Sequence, residues 1–159
     1  MDWRHLFLDF KGRISRKHFW IGSVPLIVAH LALMWAIFQV AGIPSDALLE
    51  PDPRVAGTSI AVSLALMYPS LAVCVKRLHD RGRPGWLIAP LYAVGFLLDL
   101  LDLAGLGGTA EENSLLFLVA LFVAIALLVW FLIELGLLKG TRGPNRYGPD
   151  PLGAPRAGA

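Results

Sequence analysis

The residues best suited to chemistry stand in one short run, VKRLHDRGRPGWL, at residues 75–87. Four basic side chains surround His79 and Asp80, and the sequence on both sides of the run is almost purely apolar. A histidine beside a carboxylate suggests an acid–base dyad. A basic loop with glycines suggests an anion site, and basic residues between apolar segments also serve as a membrane-topology signal. The run is open to all three interpretations.

The dyad is the weakest of the three interpretations. Neighbouring side chains on a helix diverge by about 100°, so His79 and Asp80 would not bond each other directly. The sequence shows no serine or cysteine beside an identifiable base and no glycine-rich phosphate loop. A metal site would have to gather His79, Asp80 and Glu134 from scattered positions. We therefore assign no catalytic residue, no metal and no cofactor.

The second half of the run favours anion binding. Gly82 and Gly85 permit tight turns, and Pro84 is a favourable first residue of a helix. The free N–H groups of such a helix start form an anion site when arginines lie beside them, and Arg81 and Arg83 do so here. Trp86 would then anchor at the membrane interface. A lipid phosphate is the anion most available there.

Composition places these residues in a membrane protein. Hydrophobic residues make up 56% of the 159 residues and charged residues 16%, against about 25% charged in soluble domains. The single cysteine, Cys74, excludes an internal disulfide. Nucleic acid is not a predicted partner.

Four apolar stretches are long enough to span a bilayer as helices, at residues 19–41, 57–75, 84–103 and 114–138. We predict an all-α, four-helix membrane domain over residues 19–138. The first 18 residues repeat apolar side chains at helical spacing from Trp3 to Ile14, which predicts a short amphipathic helix in the membrane interface, capped by Asp2 and ended by Gly12. Residues 139–159 form a tail that is rich in Gly and Pro, disordered beyond about Pro151.

The lysines and arginines orient the four spans. Thirteen of the fourteen fall on one side if both termini are cytoplasmic, and only Arg54 falls on the other. The loops opposite hold five carboxylates instead: Asp46, Glu50, Asp52, Glu111 and Glu112. The positive-inside rule therefore places both termini in the cytoplasm.

Prolines and polar residues interrupt the spans. Pro25, Pro69 and Pro90 each remove a backbone donor at similar predicted depth, which indicates either a cytoplasm-facing cleft or ordinary tolerance of proline in membrane helices. Ionisable residues at membrane depth are functional candidates by default. They are His30, Asp99, Asp102 and Glu134.

Each of these four has a structural alternative. His30 could bond a neighbouring carbonyl, and Asp99 and Asp102 could face water at the end of their span. A buried Glu134 needs a cation, and Arg77 or Arg16 would lie at a suitable depth.

Three stretches carry a family resemblance: FKGRISRKHFW at 10–20, KRLHDRGRPGW at 76–86 and GPNRYGPDP at 143–151. In this order they resemble the three signature stretches of the bacterial inner-membrane family called "domain of unknown function 805". The matching positions are Phe10, Gly12, Arg13, Ser15, Arg16, Phe19, Trp20, Arg77, Leu78, His79, Asp80, Gly82, Gly85, Trp86, Gly143, Asn145, Tyr147, Gly148 and Pro151. Pro84 stands where the family usually has Ser, and Lys76 where it usually has Arg. The resemblance implies an inner-membrane location and a fold, with no agreed activity.

All three signature stretches fall on the predicted cytoplasmic side, so we expect them to meet. Asp80 would pair with Arg13 or Arg16, while Asn145 and Tyr147 would close over the basic loop. Such a junction either staples helix ends together or binds a ligand. The candidate anion-binding residues are Arg13, Arg16, Arg77, His79, Asp80, Arg81, Arg83, Trp86, Asn145 and Tyr147.

Three functions fit this sequence. The favoured one is a non-enzymatic membrane protein whose basic cluster binds an anionic lipid head group or a partner protein. A subunit of a small transporter or channel would use the proline-lined cleft and His30, and would have to associate with further copies of itself. A membrane enzyme acting on lipid phosphates would use His79 and Asp80.

Overall fold

The computed structural model describes residues 2–44, 52–106 and 115–153. Its elements are α1 (Trp3–Leu8), α2 (Arg16–Ala41), α3 (Pro53–Asp80), a 3-10 turn (Gly85–Ile88), α4 (Ala89–Leu103), α5 (Leu115–Phe131) and a π-helical turn (Leu132–Leu137). These described ranges are helical and contain no β-strand. Sequence predictions for Asp46, Glu50, Glu111, Glu112, Ser114 and Arg156, and for the end of the tail from residue 154, lie outside them.

Four helices are long and apolar enough to cross a membrane: Arg16–Ala41, Pro53–Asp80, Gly85–Leu103 and Leu115–Leu137. They match the four predicted spans, and the chain is an all-helical membrane protein. Many of their large apolar side chains are exposed, for example Val40 and Leu115, as befits surfaces solvated by lipid rather than by water. The main difference is in α3, which continues to Asp80 and so carries the start of the second signature stretch on its last turn.

Helix α1 is shorter than the sequence predicts. Asp2 caps it as expected, its carboxylate accepting from the backbone N–H groups of Arg4 and His5. The helix ends at Leu8 instead of reaching Gly12, because Asp9 adopts an extended conformation and its side chain takes the N–H of Lys11. Residues 9–15 then lead to α2 without helical structure.

The three prolines do not behave alike. Pro25 and Pro69 lie inside α2 and α3, as the sequence indicates. Pro90 is the second residue of α4, because the third span starts with a 3-10 turn. The span Gly85–Leu103 is continuous through this turn, so Pro90 still lies inside a span, as the sequence predicts.

The chain divides into two compact units. The first, here named the polar unit, comprises Met1–Val24, Tyr68–Ile88 and Phe131–Ala159; the second, the apolar unit, comprises Pro25–Met67 and Ala89–Trp130. The predicted segments 1–18, 19–138 and 139–159 concern position relative to the membrane and stay a prediction.

Each unit has its own buried side chains. In the apolar unit they are hydrophobic and include Phe38, Val62 and Leu101. In the polar unit Leu6, Val73 and other apolar residues surround six buried polar or charged ones: Arg13, Ser15, Lys76, Arg77, Asp80 and Glu134. Every buried polar or charged residue among the described ranges lies in the polar unit, which also contains all three signature stretches.

Candidate functional site

The carboxylate of Asp80 lies at the centre of the polar unit, on the last residue of α3. Its Oδ1 accepts hydrogen bonds from Nε and Nη2 of Arg13 at 3.1 and 3.0 Å, and its Oδ2 pairs with Nη1 of Arg77. All three side chains are at most 4% exposed. The ion pair predicted between Asp80 and Arg13 is confirmed. Two guanidinium groups share one buried carboxylate, so the group carries one net positive charge.

Arg13 also ties the third signature stretch to this ion pair. Its guanidinium donates to the backbone oxygens of Thr141 at 2.6 Å, Gly143 at 2.7 Å and Gly148 at 3.3 Å. In return the N–H and hydroxyl of Thr141 donate to the backbone oxygen of Asp80. A guanidinium has five N–H donors. The two bonds of Arg13 to Asp80 and its three bonds to backbone oxygens use all five. Arg13 is therefore a structural clamp between the three signature stretches.

The end of the fourth span widens into the π-helical turn, where the N–H of Leu138 donates to the oxygen of Ile133, five residues earlier. The last carbonyls of a helix lack intrahelical donors. Here side chains of the other stretches supply them. The bonds are Arg77 Nε to Leu135 O (2.7 Å), Trp20 Nε1 to Gly136 O (3.2 Å), Arg16 Nη1 to Leu137 O (2.9 Å) and Arg77 Nη2 to Leu138 O (2.6 Å). Cations at this position also complement the helix dipole.

Glu134 has two partners that the sequence prediction did not name. Its Oε1 accepts from Nε of Arg83 at 2.7 Å and from Nε of Arg81 at 3.2 Å. The prediction of Arg77 or Arg16 as the partner is wrong, since those two arginines bond to backbone carbonyls and to Asp80. The glutamate side chain is only 4% exposed. Glu134 thus fixes the loop after α3 to the end of the fourth span.

His79 and Asp80 do not bond each other, as the helical geometry predicts. The Nδ1 of His79 lies 3.2 Å from the backbone oxygen of Gly12 and donates to it. Its ring stacks on Tyr147 with centroids 3.9 Å apart and 6° between the planes. The side chain of Asn145 donates to the backbone oxygen of His79 at 2.9 Å. The predicted closure of Asn145 and Tyr147 over the basic loop is confirmed.

Lys76 is a contact residue that the sequence did not reveal. Its ammonium is fully buried and donates to the backbone oxygens of His5 and of Leu6, the latter at 2.8 Å. About two turns earlier on α3, the hydroxyl of Tyr68 donates to the backbone oxygen of Leu8 at 2.9 Å. These donors satisfy carbonyls at the end of α1. In the sequence, Lys76 is visible only as the first charged residue after the apolar run of the second span, which indicates membrane orientation but no contact with α1.

An open cavity of about 290 Å³ lies beside the Arg13–Asp80–Arg77 group. Its lining consists of Ser15, Arg16, Arg77, Asp80, Lys139, Gly140, Thr141, Arg142, Asp150, Pro151 and Leu152. Four of these residues are cationic and two are anionic, so basic charge is in excess. Of the predicted anion-binding residues, Arg16, Arg77 and Asp80 line the cavity. Ser15, Lys139 and Arg142 were not predicted, although the sequence KGTR directly after the last span shows such a basic cluster.

Asp150 shapes the far wall of this cavity. Its carboxylate accepts from the backbone N–H of Leu152 at 2.9 Å and of Gly143 at 2.8 Å. These bonds, led by that of Leu152, hold the pKa of Asp150 below its usual range, and the charge of Arg13 contributes further. The two hydrogen bonds of Asp150 connect the start and the end of the third signature stretch.

The remaining predicted anion-binding residues lie outside the cavity. Trp86 is in the 3-10 turn, with 68% of its surface exposed. Gly85 beside it packs so closely that an added Cβ would lie 2.7 Å from a methyl group of Val75. The arrangement of the basic loop is therefore set by packing at Gly85, while the ring of Trp86 projects outwards.

Of the four predicted ionisable residues at membrane depth, Glu134 lies in the polar unit, and His30, Asp99 and Asp102 lie in the apolar unit. The carboxyl of Asp99 on α4 has a side-chain hydrogen bond with Ser59 of α3 and interacts electrostatically with His30 of α2 and with Asp102. Three helices thus bring these groups together. No set of three or more His, Cys, Asp or Glu side chains among the described residues could hold a metal ion.

Comparison of the sequence with known protein families gives a match to one family. The model of the family described as "Protein of unknown function (DUF805)" covers residues 7–149. The chain belongs to the DUF805 family. This match includes the first two signature stretches, residues 143–149 of the third, and all four membrane-spanning helices, so the resemblance seen in the sequence is confirmed.

Two proteins from Escherichia coli K12 are similar to this chain over most of its length. The chain is 39% identical over 143 residues to the "Uncharacterized protein YiiR", which covers 89% of this chain and 85% of that protein. It is 29% identical over 147 residues to the "Inner membrane protein YhaI", covering 91% and 87% respectively. No solved structure matches the chain significantly. The DUF805 assignment agrees with a membrane protein that has the four spans described above.

Proposed function

We propose that this DUF805 protein is a non-enzymatic inner-membrane protein that binds the phosphate of an anionic lipid head group in the cavity of the polar unit. Both termini lie in the cytoplasm in this proposal, so the cavity opens at the inner surface of the membrane. Phosphatidylglycerol is the head-group chemistry that fits, because it offers a phosphodiester anion without a compensating ammonium group.

The charge of the cavity is the observation that carries this proposal. Arg77 and Asp80 are engaged with each other and with backbone carbonyls, so they form the floor rather than the receptor. The side chains of Arg16, Lys139 and Arg142 line this cavity and are exposed. Cations at a membrane surface attract anionic lipid by about 1 kcal/mol each. Three of them around one cavity give a preference for anions.

The orientation rests on charge segregation. Twelve of the thirteen lysines and arginines in the described residues belong to the polar unit, and Arg54 alone belongs to the apolar unit. The positive-inside rule then assigns the polar unit to the cytoplasmic side. The inner leaflet is also the leaflet whose negative surface potential a basic cavity would meet.

The contacts of His79 and Asp80 favour binding over catalysis. An acid–base residue must have its proton-transferring atom within hydrogen-bond reach of a substrate. Nδ1 of His79 is taken by Gly12, its ring is covered by Tyr147, and both oxygens of Asp80 are held by arginines. These two residues therefore serve better as parts of the junction than as catalysts.

Lipid-dependent stability tests the proposal. We expect phosphatidylglycerol, added to the protein in neutral detergent, to raise the midpoint of thermal unfolding, and phosphatidylcholine to leave it unchanged. In Lys139→Gln/Arg142→Gln the apparent affinity for phosphatidylglycerol should fall about tenfold or more, since two cations near the head group are lost. Tryptophan fluorescence provides the readout.

Lys11→Gln/Lys17→Gln is the matched control. It removes the same charge from two exposed lysines of the polar unit that do not line the cavity, and its affinity should stay within about twofold. An equal loss in both double variants would show attraction by overall charge and would contradict a built site. Stabilisation by inorganic phosphate alone, without a preference for the lipid, would assign the cavity to a soluble anion instead.

A further inference from the structure

The N-terminal helix occupies a position along α3 that places it below the membrane surface. Its end is bonded to Tyr68, through the backbone oxygen of Leu8, while Arg13 five residues later is bonded to Asp80. Tyr68 and Asp80 are twelve residues apart on one helix, about 18 Å at the helical rise. Residues 9–13, which are not helical, therefore connect a contact in the interior of α3 to one at its end.

Packing against α2 gives the same depth independently. A Cβ built on Gly22 would lie 3.0 Å from a methyl group of Val73 and 3.4 Å from a methyl group of Leu6. Gly22 is six residues after the start of α2, or about 9 Å along it. The side chain of Leu6 is 3% exposed at this close approach of α2 and α3. Leu6 is thus wedged beside the interior turns of two membrane-spanning helices.

The apolar run of α3 ends at Val75, directly before Lys76. If Val75 marks the limit of the hydrocarbon, Tyr68 lies about 10 Å deeper, since seven residues separate the two. Water is scarce at that depth, and backbone carbonyls there need protein donors. The buried ammonium of Lys76 and the hydroxyl of Tyr68 provide such donors to the end of α1.

The outer side of α1 suits lipid. Trp3 and Leu8 are 55% and 58% exposed, and the Trp3 ring stacks on that of Phe7. His5 on α1 bonds through Nδ1 to the carboxylate of Asp9, the residue directly after the helix, at 3.1 Å. Longer side chains such as that of Arg4 can extend towards the head groups.

We propose that α1 is a re-entrant wedge sunk into the acyl chains of the inner leaflet, held there by Lys76 and Tyr68, and that its partner is the lipid itself. This goes beyond head-group binding in the cavity, because it involves other residues and the apolar part of the lipid. An α1 lying on the surface, at the level of the head groups, is the alternative that the test must separate.

Spin-label depth measurements test the wedge in the full-length protein in liposomes. Leu8→Cys is labelled in a Cys74→Ala background, and its collision rates with oxygen and with a water-soluble nickel chelate are compared. Labels at Leu128→Cys in α5 and at Leu152→Cys near the C-terminus are the references, both of them on exposed side chains. We expect the label at position 8 to lie at least as deep as a lipid labelled at its fifth acyl carbon. A reading at or above a labelled head group overturns the proposal.

Lys76→Met tests the anchor, because it keeps the length of the side chain and removes the ammonium. The oxygen-to-nickel collision ratio at position 8 should fall several-fold, while the labels at positions 128 and 152 keep their values. Lys17→Met, an exposed lysine at the start of α2, should leave all three labels unchanged. An unchanged oxygen-to-nickel ratio at position 8 in a folded Lys76→Met protein overturns the role of Lys76 as the anchor. The depth of α1 itself is tested by the label at position 8 in the protein with Lys76.

Discussion

The buried arginines of the polar unit act mainly through backbone carbonyls. Arg13 donates to three backbone carbonyls between residues 141 and 148. Arg77 donates to two at the end of the fourth span, and each of these bonds is 3.3 Å or shorter. The planar fork of arginine suits such multiple acceptors, and the three donors of a lysine ammonium do not reproduce it. Asp80 supplies the negative charge that makes burial of the two guanidinium groups tolerable.

Asp80→Asn tests this arrangement at the scale of the residue. The change keeps the shape of the side chain but leaves Arg13 and Arg77 buried without a counter-charge. Removing one partner of a buried ion pair typically costs about 3–5 kcal/mol, and we expect a loss of stability of about 3 kcal/mol. Equilibrium unfolding in mixed micelles, followed by far-UV circular dichroism, measures it.

Asp52→Asn is the control, since Asp52 pairs with Arg54 at 2.7 Å but the arginine is 59% exposed. Exposed pairs contribute little to stability, so this variant should unfold almost as the parent protein does. Similar losses in both variants would mean that the carboxylate of Asp80 has no special role in the junction.

The partners of single residues were only partly predictable from the sequence. The pairing of Asp80 with Arg13 followed from the expectation that the signature stretches meet on one side of the membrane. For Glu134 the same reasoning from depth proposed Arg77 or Arg16, whereas Arg81 and Arg83 bind it. The predicted depth in the membrane could not show that Arg77 and Arg16 bond to free carbonyls of the π-helical turn instead of to the carboxylate of Glu134.

At the scale of the element, helix ends organise the polar unit. The end of the fourth span is a π-helical turn whose carbonyls point to donors on α2 and α3. π-helical turns are rare and are frequently found at functional sites. Here the wider turn places Gly136 against the indole of Trp20, where an added Cβ would lie 2.6 Å from the ring.

Gly136→Ala should therefore destabilise the protein. The methyl group must displace the ring of Trp20 and with it the bond from Nε1 to the oxygen of Gly136, and overpacking of this kind costs about 1–3 kcal/mol. We expect a lower midpoint of thermal unfolding in detergent. In a Trp20→Phe background the same substitution should cost less, because the smaller ring leaves room for the methyl group.

Gly95→Ala is the matched control on α4, where an added Cβ meets nothing within 4 Å. Alanine is favoured over glycine inside a helix by about 1 kcal/mol, so this midpoint should stay the same or rise. An equal decrease in both variants would attribute the effect to glycine flexibility and would argue against the contact with Trp20.

Element boundaries show what periodicity can and cannot predict. The four spans were visible in the sequence because apolar runs of this length have few alternatives. The end of α1 was not, since it depends on local competition: the Asp9 side chain accepts from the backbone N–H of Lys11. The cavity was likewise hidden, because its lining comes from three separate parts of the chain.

At the scale of the whole molecule, charge is the feature that separates the two units. The polar unit holds twelve of the thirteen lysines and arginines of the described residues, and Arg54 is the one that lies in the apolar unit. Moving such a unit across a bilayer would require many charges to pass through hydrocarbon, so a single orientation should prevail.

Reporter fusions test this orientation. Green fluorescent protein attached to either terminus should be fluorescent, because this reporter matures in the cytoplasm, and alkaline phosphatase at the C-terminus should be inactive. Phosphatase fused after Pro44, between α2 and α3, should be active, since the positive-inside rule places that loop outside. As a control within the second signature stretch, a phosphatase fusion after Arg83 should again be inactive. Active phosphatase at the C-terminus together with inactive phosphatase after Pro44 would reverse the orientation, and the basic cavity would then face away from the anionic inner leaflet.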